Sequence, residues 1–97
     1  MDLTFDLQLD GHKGAAVAFL GEKLLAEMTF SLAGEHLLII DHTQVDDQLR
    51  GQGTGRKLLA LILNWAEAKH KKILPLCPYA RSVFDKEPGI QHHLHKA

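Results

Sequence analysis

Arg50-Gly51-Gln52-Gly53-Thr54-Gly55-Arg56-Lys57 separates two stretches with different hydrophobic patterns, and its reading decides the fold. Before it, apolar residues alternate or run in short blocks, as strands require. After it, Leu58, Leu59, Ile62, Leu63, Trp65 and Ala66 recur at the helical period. Three glycines within five residues let the backbone turn tightly and come close to a ligand. The free N–H groups of a first helical turn, with the helix dipole, favour an anion such as a phosphate. Arg50, Arg56 and Lys57 add positive charge, and no acid lies between positions 50 and 57. Spacing excludes two common phosphate loops. A Walker loop has four residues between its glycines and then Lys-Ser/Thr; Gly51 and Gly55 leave three, and Arg56 follows. A dinucleotide fingerprint reads G-x-G-x-x-G in a βαβ unit, whereas this loop reads G-x-G-x-G after four antiparallel strands.

Upstream, Leu3, Phe5, Leu7 and Leu9 alternate with polar residues, the period of a half-buried strand. Ala15 to Leu20 forms a second short strand, and Gly21-Glu22 fits a tight hairpin. In a third strand Leu24, Ala26, Met28, Phe30 and Leu32 face one way. Leu37-Leu38-Ile39-Ile40, continuing to Val45, begins as a continuous apolar run, which predicts a central strand under a helix. Downstream, the spacing predicts a helix from Lys57 to about His70, closed by Lys69, His70, Lys71 and Lys72. Ile73 to Cys77 reads as a fifth strand with Pro75 on an open side, and Tyr79 to Lys86 as a short helix with Pro78 in its first turn. Phe5, Phe19, Phe30 and Trp65 fall on apolar faces and are expected in the core. Residues 1–89 thus form one domain, and 90–97 read as a frayed C-terminal tail.

Composition narrows the functional classes. The chain has 97 residues, 11 Lys and Arg against 12 Asp and Glu, and a net charge of −1, which excludes a wholly basic nucleic-acid binder. A single cysteine, Cys77, excludes an internal disulfide framework and a four-cysteine zinc site. The opening MDLTFDLQLD carries acids where a targeting peptide carries bases, and no apolar run reaches membrane-spanning length. The expectation is a cytoplasmic protein with neither a nucleic-acid nor a membrane partner, monomeric or weakly dimeric. His92, His93 and His95 lack a neighbouring carboxylate or cysteine, so no metal site is expected.

Arg50-Gly51-Gln52-Gly53-Thr54-Gly55 also matches Arg/Gln-x-x-Gly-x-Gly/Ala. In this it resembles the coenzyme A pyrophosphate loop of the GCN5-related N-acetyltransferases. Together with His42-Thr43-x-Val45 and Pro75-Leu76-Cys77-Pro78-Tyr79, it resembles the small single-domain branch of that superfamily, over about Leu7 to Pro88. The resemblance implies a minimal α/β (α+β) acyl-CoA N-acyltransferase fold. That fold has a mostly antiparallel sheet of about five strands, a long helix after strand four and a short helix after strand five. It also implies acetyl-CoA as co-substrate, with the pantetheine arm along Thr43 and Val45 in a gap between strands four and five. The pyrophosphate would lie on Arg50, Gly51, Gln52, Gly53, Thr54, Gly55, Arg56 and Lys57. Pro78, Tyr79 and Ser82 would border the far side. Larger relatives add two helices between their first strands and a C-terminal strand pair; with those missing here, the acceptor amine, small molecule or protein, is left open.

Three residues are candidates for chemistry. Cys77, at the start of the short helix, either accepts acetyl from the cofactor or contacts it directly, or is a small buried hydrophobe. His42, expected to face the same way as Leu38 and Ile40, is either a general base or a core histidine. Tyr79 either protonates the departing thiolate or packs against the cofactor. The reading is an N-acetyltransferase acting by direct attack or through Cys77. The alternatives are a non-catalytic acyl-CoA binder and a protein-interaction module of the same fold.

Overall fold

A computed structural model describes residues 2–96. Five strands form one sheet in the order β1 (Thr4–Asp10), β2 (Lys13–Leu20), β3 (Lys23–Ala33), β4 (Leu37–Val45), β5 (Lys72–Pro75). The first three pairings are antiparallel and β4–β5 is parallel. The crossover between β4 and β5 is α1 (Thr54–Ala68), and α2 (Pro78–Lys86) follows β5. The expected mostly antiparallel sheet with a long and a short helix is therefore present. No helix of the described residues is long and apolar enough to cross a membrane.

The apolar arc of α1, Leu58, Leu59, Ile62, Leu63 and Ala66, is buried with Ala16, Ala18, Met28, Phe30, Leu38 and Ile40 of the sheet. Ala80, Val83 and Phe84 of α2 complete the same cluster. Phe30 and Trp65 meet with ring centroids 5.8 Å apart. Phe5 and Trp65 are partly buried against this core, but Phe19 is not part of it. One residue beyond Ala18, its side chain turns to the opposite face.

Two bulges reset the strand alternation, and each corrects an expected side-chain direction. Ala18 pairs with Ala26 but Phe19 pairs with Leu24, so Leu25 is an extra residue. Leu25 is consequently buried, while Leu24 is 44% exposed rather than facing the core. In β4, Phe30 pairs with Ile40 but Thr29 pairs with His42, making Asp41 the extra residue. His42 therefore shares a face with Thr29, away from Met28 and Phe30, and is exposed. It does not face the way of Leu38 and Ile40. β4 is an interior strand between β3 and β5, as its apolar start predicts, but only one face is fully covered: Leu38 and Ile40 are buried, Leu37 and Ile39 only partly.

The ends of the elements also differ from expectation. α1 begins at Thr54, inside the glycine loop, and stops at Ala68 because His70 takes a left-handed conformation (φ 58°). The segment read as a frayed tail is folded back. Pro88–His93 forms a 3-10 turn, Leu94 bridges Ile73 in parallel, and the His95 N–H donates to the Ile73 carbonyl at 2.8 Å. Ile90 and Leu94 supply the apolar contacts that hold it.

Candidate functional site

The loop before α1 is shaped by its own short-range bonds. The Asp46 carboxylate accepts from the Gln48 N–H at 3.0 Å, which holds its pKa below the usual carboxylate value and caps a 3-10 turn over Asp47–Leu49. Gly51 (φ 79°) and Gly53 (φ 70°) take left-handed conformations that other residues reach only at a cost. Gly53 is the helix N-cap and offers no side-chain oxygen. The first helical bond runs from Lys57 N–H to the Gly53 carbonyl at 3.1 Å. Ahead of it, the N–H groups of Thr54, Gly55 and Arg56 have no acceptor within the helix. No acid stands in that first turn. The result is a set of convergent donors at the positive end of a 15-residue helix, suited to an anion.

The side-chain charges around the loop are less free than the sequence implies. Arg50 pairs with Asp47 at 3.1 Å, both exposed. Arg56 is committed to Glu87, donating from Nε at 2.9 Å and from Nη2 at 3.0 Å. This guanidinium holds the Glu87 carboxyl below its usual pKa. No acid lies between positions 50 and 57, but two acids outside that stretch oppose its bases: Asp47 faces Arg50, and Glu87, 31 residues along the chain, faces Arg56. Lys57 forms no ion pair among the described residues; its ammonium lies 5.8 Å from the Phe5 ring centroid.

The second part of the site is the end of β4. Leu76 N–H and Cys77 N–H both donate to the Ile40 carbonyl, so that carbonyl points towards β5. With Asp41 inserted and Asp46 N–H bonded to Leu25 of β3, residues 42, 44 and 46 point towards β3. Thr43 and Val45 then direct their N–H and C=O groups the other way. On that side β5 pairing has ended at Ile40–Pro75. An open backbone edge follows, just where the chain enters the glycine loop.

Cys77 and Tyr79 border this edge. Cys77 is 3% exposed, the N-cap of α2, and its Sγ lies 2.9 Å from the Thr43 Oγ1. The bulge makes this contact possible by turning Thr43 to the core face. Tyr79 lies over Gly55, so closely that a Cβ there would be 2.8 Å from its ring. Burial of its hydroxyl raises the pKa, so Tyr79 remains protonated at neutral pH. Ser82 Oγ donates to the Tyr79 carbonyl at 2.6 Å within α2. Of the three candidates for chemistry, Cys77 and Tyr79 lie two residues apart at the start of α2, whereas His42 is on the far face of the sheet. Glu87 escaped the sequence reading because Glu87-Pro88-Gly89 carries only a helix-stop signal.

A family model described as GCN5-related N-acetyl-transferase matches residues 12–93. Among solved structures, a GCN5-like protein from Staphylococcus aureus is similar at 29% identity and a TM-score of 0.71, covering 95% of this chain and 89% of that one. A ribosomal-protein-alanine N-acetyltransferase from Brucella melitensis shares the fold at 19% identity and a TM-score of 0.68, over 91% of this chain and 65% of that one. An Elizabethkingia anophelis GNAT family acetyltransferase with acetyl-CoA bound shares it at 12% identity and a TM-score of 0.68, over 90% and 74%. No curated protein matches the chain by sequence.

Proposed function

The chain belongs to the GCN5-related N-acetyltransferases, and on that premise we propose that it binds acetyl-CoA and passes the acetyl group to an exposed amine. The observation that carries this reading is the adjacency of two open backbone edges. One is the first turn of α1, and the other is Thr43 to Val45 of β4 beyond its last pair with β5. The first suits a pyrophosphate, and the second suits an amide-bearing arm that hydrogen-bonds as an added strand would.

In acetyl transfer the amine nitrogen attacks the thioester carbonyl carbon, the C–S bond breaks, and the thiolate takes up a proton. Acetyl-CoA supplies the activated acyl group. In this proposal the N–H groups of Gly53 to Arg56 hold the pyrophosphate, the Gln52 N–H being bonded to the Leu49 carbonyl, and the Lys57 ammonium adds charge. The carbonyl and N–H groups of Thr43 and the carbonyl of Val45 align the arm. The Val45 N–H polarises the acyl carbonyl as negative charge builds on its oxygen. Pro78, Tyr79 and Ser82 flank the arm, and the protonated Tyr79 hydroxyl is the donor to the thiolate. His42 has no part, being turned away, so the amine arrives unprotonated or gives its proton to water.

A relay through Cys77 is the finer form: its sulfur takes the acetyl group by thioester exchange, CoA leaves as the thiol, and the amine then attacks. It requires the thiol to leave its Thr43 contact. The burial of Cys77 and the direction of His42 favour a second reading, a CoA binder without turnover. Calorimetric titration with acetyl-CoA, combined with detection of free CoA thiol on adding amines, separates the readings. Binding weakened by Lys57→Glu, with amine-dependent thiol release, is the expected result. Binding without release leaves the non-catalytic reading. No binding at millimolar ligand overturns both and leaves an interaction module.

A further inference from the structure

The folded C-terminal turn brings together three metal-ligating side chains that lie far apart in the sequence. Glu67 stands on the last turn of α1, and His92 and His93 end the Pro88–His93 turn. One ligand atom from each lies within 4.8 Å of the other two. Successive residues of a 3-10 turn ordinarily point about 120° apart. Here the two imidazoles lie side by side, with centroids 4.1 Å apart and planes tilted by 36°. The three make no ion pair with one another, and among the described residues none of these side chains is hydrogen-bonded. Glu67 and His92 are exposed and His93 is half-buried, so the ligand atoms can be reached from solvent.

We propose that Glu67, His92 and His93 form a binding site for a divalent cation of the zinc class, with water completing the coordination. Zinc ligated tetrahedrally by imidazole and carboxylate at about 2.0–2.2 Å keeps its ligands roughly 3.4 Å apart. The side chains therefore close by about 1 Å around the ion, within the reach of exposed rotamers. Two imidazoles and one carboxylate favour zinc over magnesium or calcium, which take oxygen ligands. Lys72 Nζ donates to the His92 carbonyl at 2.9 Å, which fixes the turn but leaves an ammonium nearby as the opposing charge. With the ion bound, the turn is fastened to both ends of α1. Its start is tied through Glu87 to Arg56 in the first helical turn, and its end through the ion to Glu67 in the last.

The test uses the full chain, stripped with a chelator and titrated calorimetrically with zinc and, separately, with magnesium. The expected result is one zinc per chain, no magnesium binding and a melting temperature that rises with zinc. Glu67→Gln and His93→Ala should each weaken zinc binding at least tenfold, since even outer-shell changes cost about that much. His95→Ala should leave it unchanged, because His95 lies outside the cluster. NMR of the imidazole signals reads the site directly: zinc shifts those of His92 and His93 and spares those of His42 and His70. Zinc binding that survives Glu67→Gln, that falls with His95→Ala, or that is absent at high micromolar zinc overturns the proposal.

Discussion

Gly55 lies beneath the Tyr79 ring where a β-carbon has no room. An alanine Cβ there would lie 2.8 Å from Tyr79 Cζ and 2.9 Å from Cε2 and the hydroxyl oxygen, against 3.4–4 Å for ordinary contact. The ring must give way by roughly 0.5–1 Å, because such short separations are repulsive. Two effects then oppose each other. Alanine in place of a helical glycine favours folding by about 0.5–1 kcal/mol. Overpacking a fitted contact costs about 1–3 kcal/mol. Tyr79 is 39% exposed and can tip towards solvent, which puts the cost in the lower half of that range. The net effect of Gly55→Ala is a loss of up to about 1.5 kcal/mol, or a fall of up to roughly 10 °C in melting temperature for a domain of this size. Tyr79→Ala removes the obstacle, so in that background Gly55→Ala keeps only the helical gain and raises the melting temperature. The assay is thermal unfolding of the four proteins of this double-mutant cycle, with an expected coupling of about 1–2 kcal/mol. If Gly55→Ala raises the melting temperature equally in both backgrounds, Tyr79 does not lie over the loop, and the juxtaposition of α1 and α2 at the site is wrong.

Gly14→Ala places a Cβ against the Phe30 ring and 2.7 Å from the Gln8 carbonyl, neither free to move, so a loss of about 2–3 kcal/mol is expected in urea unfolding. An unchanged midpoint would contradict the β1–β2–β3 register there. The Glu87 pKa is lowered by Arg56, so their pairing contributes stability above the ordinary glutamate range and is lost as pH falls through the lowered value. Glu87→Gln should therefore flatten the acid-side decline of melting temperature; an unaltered decline would show that the pair does not persist in solution. His42→Gln should leave both acetyl-CoA affinity and the pH–rate profile unmoved, since its side chain lies on the other face of the sheet. A displaced profile would return it to the site. For Cys77→Ala, an unchanged rate with a good acceptor excludes the acetyl relay, and a lost rate with retained cofactor binding supports it.

The elements that carry long hydrophobic patterns were legible, and so was the loop between them. The α1 arc and the alternation of β1 each rest on several apolar markers in phase. The bulge at Asp41 was not, for a physical reason. An inserted residue shows in a sequence only when apolar residues on both sides of it fall out of phase. After Ile40 the chain reads Asp41-His42-Thr43-Gln44, with no apolar marker before Val45, so His42 was assigned to the wrong face. Leu24-Leu25 hid the other bulge because either leucine satisfies the pattern. The Arg56–Glu87 pair and the return of Leu94 to Ile73 depend on tertiary structure and leave no local trace. The expectation of no metal site at His92 and His93 rested on the lack of a carboxylate nearby in the sequence; Glu67 is near them in space but distant in the chain.

The candidate site is built from irregularities, one on each of two neighbouring strands. On β4 the inserted Asp41 turns Thr43 to the core, where it meets Cys77, and points the backbone groups of Thr43 and Val45 out of the sheet. On β5 the strand stops at Pro75, and the next two N–H groups converge on the single Ile40 carbonyl. Each change is small by itself: one extra residue, and one strand ended after four. Together they leave an open edge beyond the carboxyl ends of the parallel pair, the place where open α/β sheets commonly take ligands. The first turn of α1 begins within the same β4-to-helix connection, so its donors and the β4 edge are linked through nine residues between Val45 and Gly55. The donors that this edge and the first turn of α1 offer are backbone groups. Backbone donors depend on register and on glycine, whereas choosing an acceptor amine depends on side chains around the mouth.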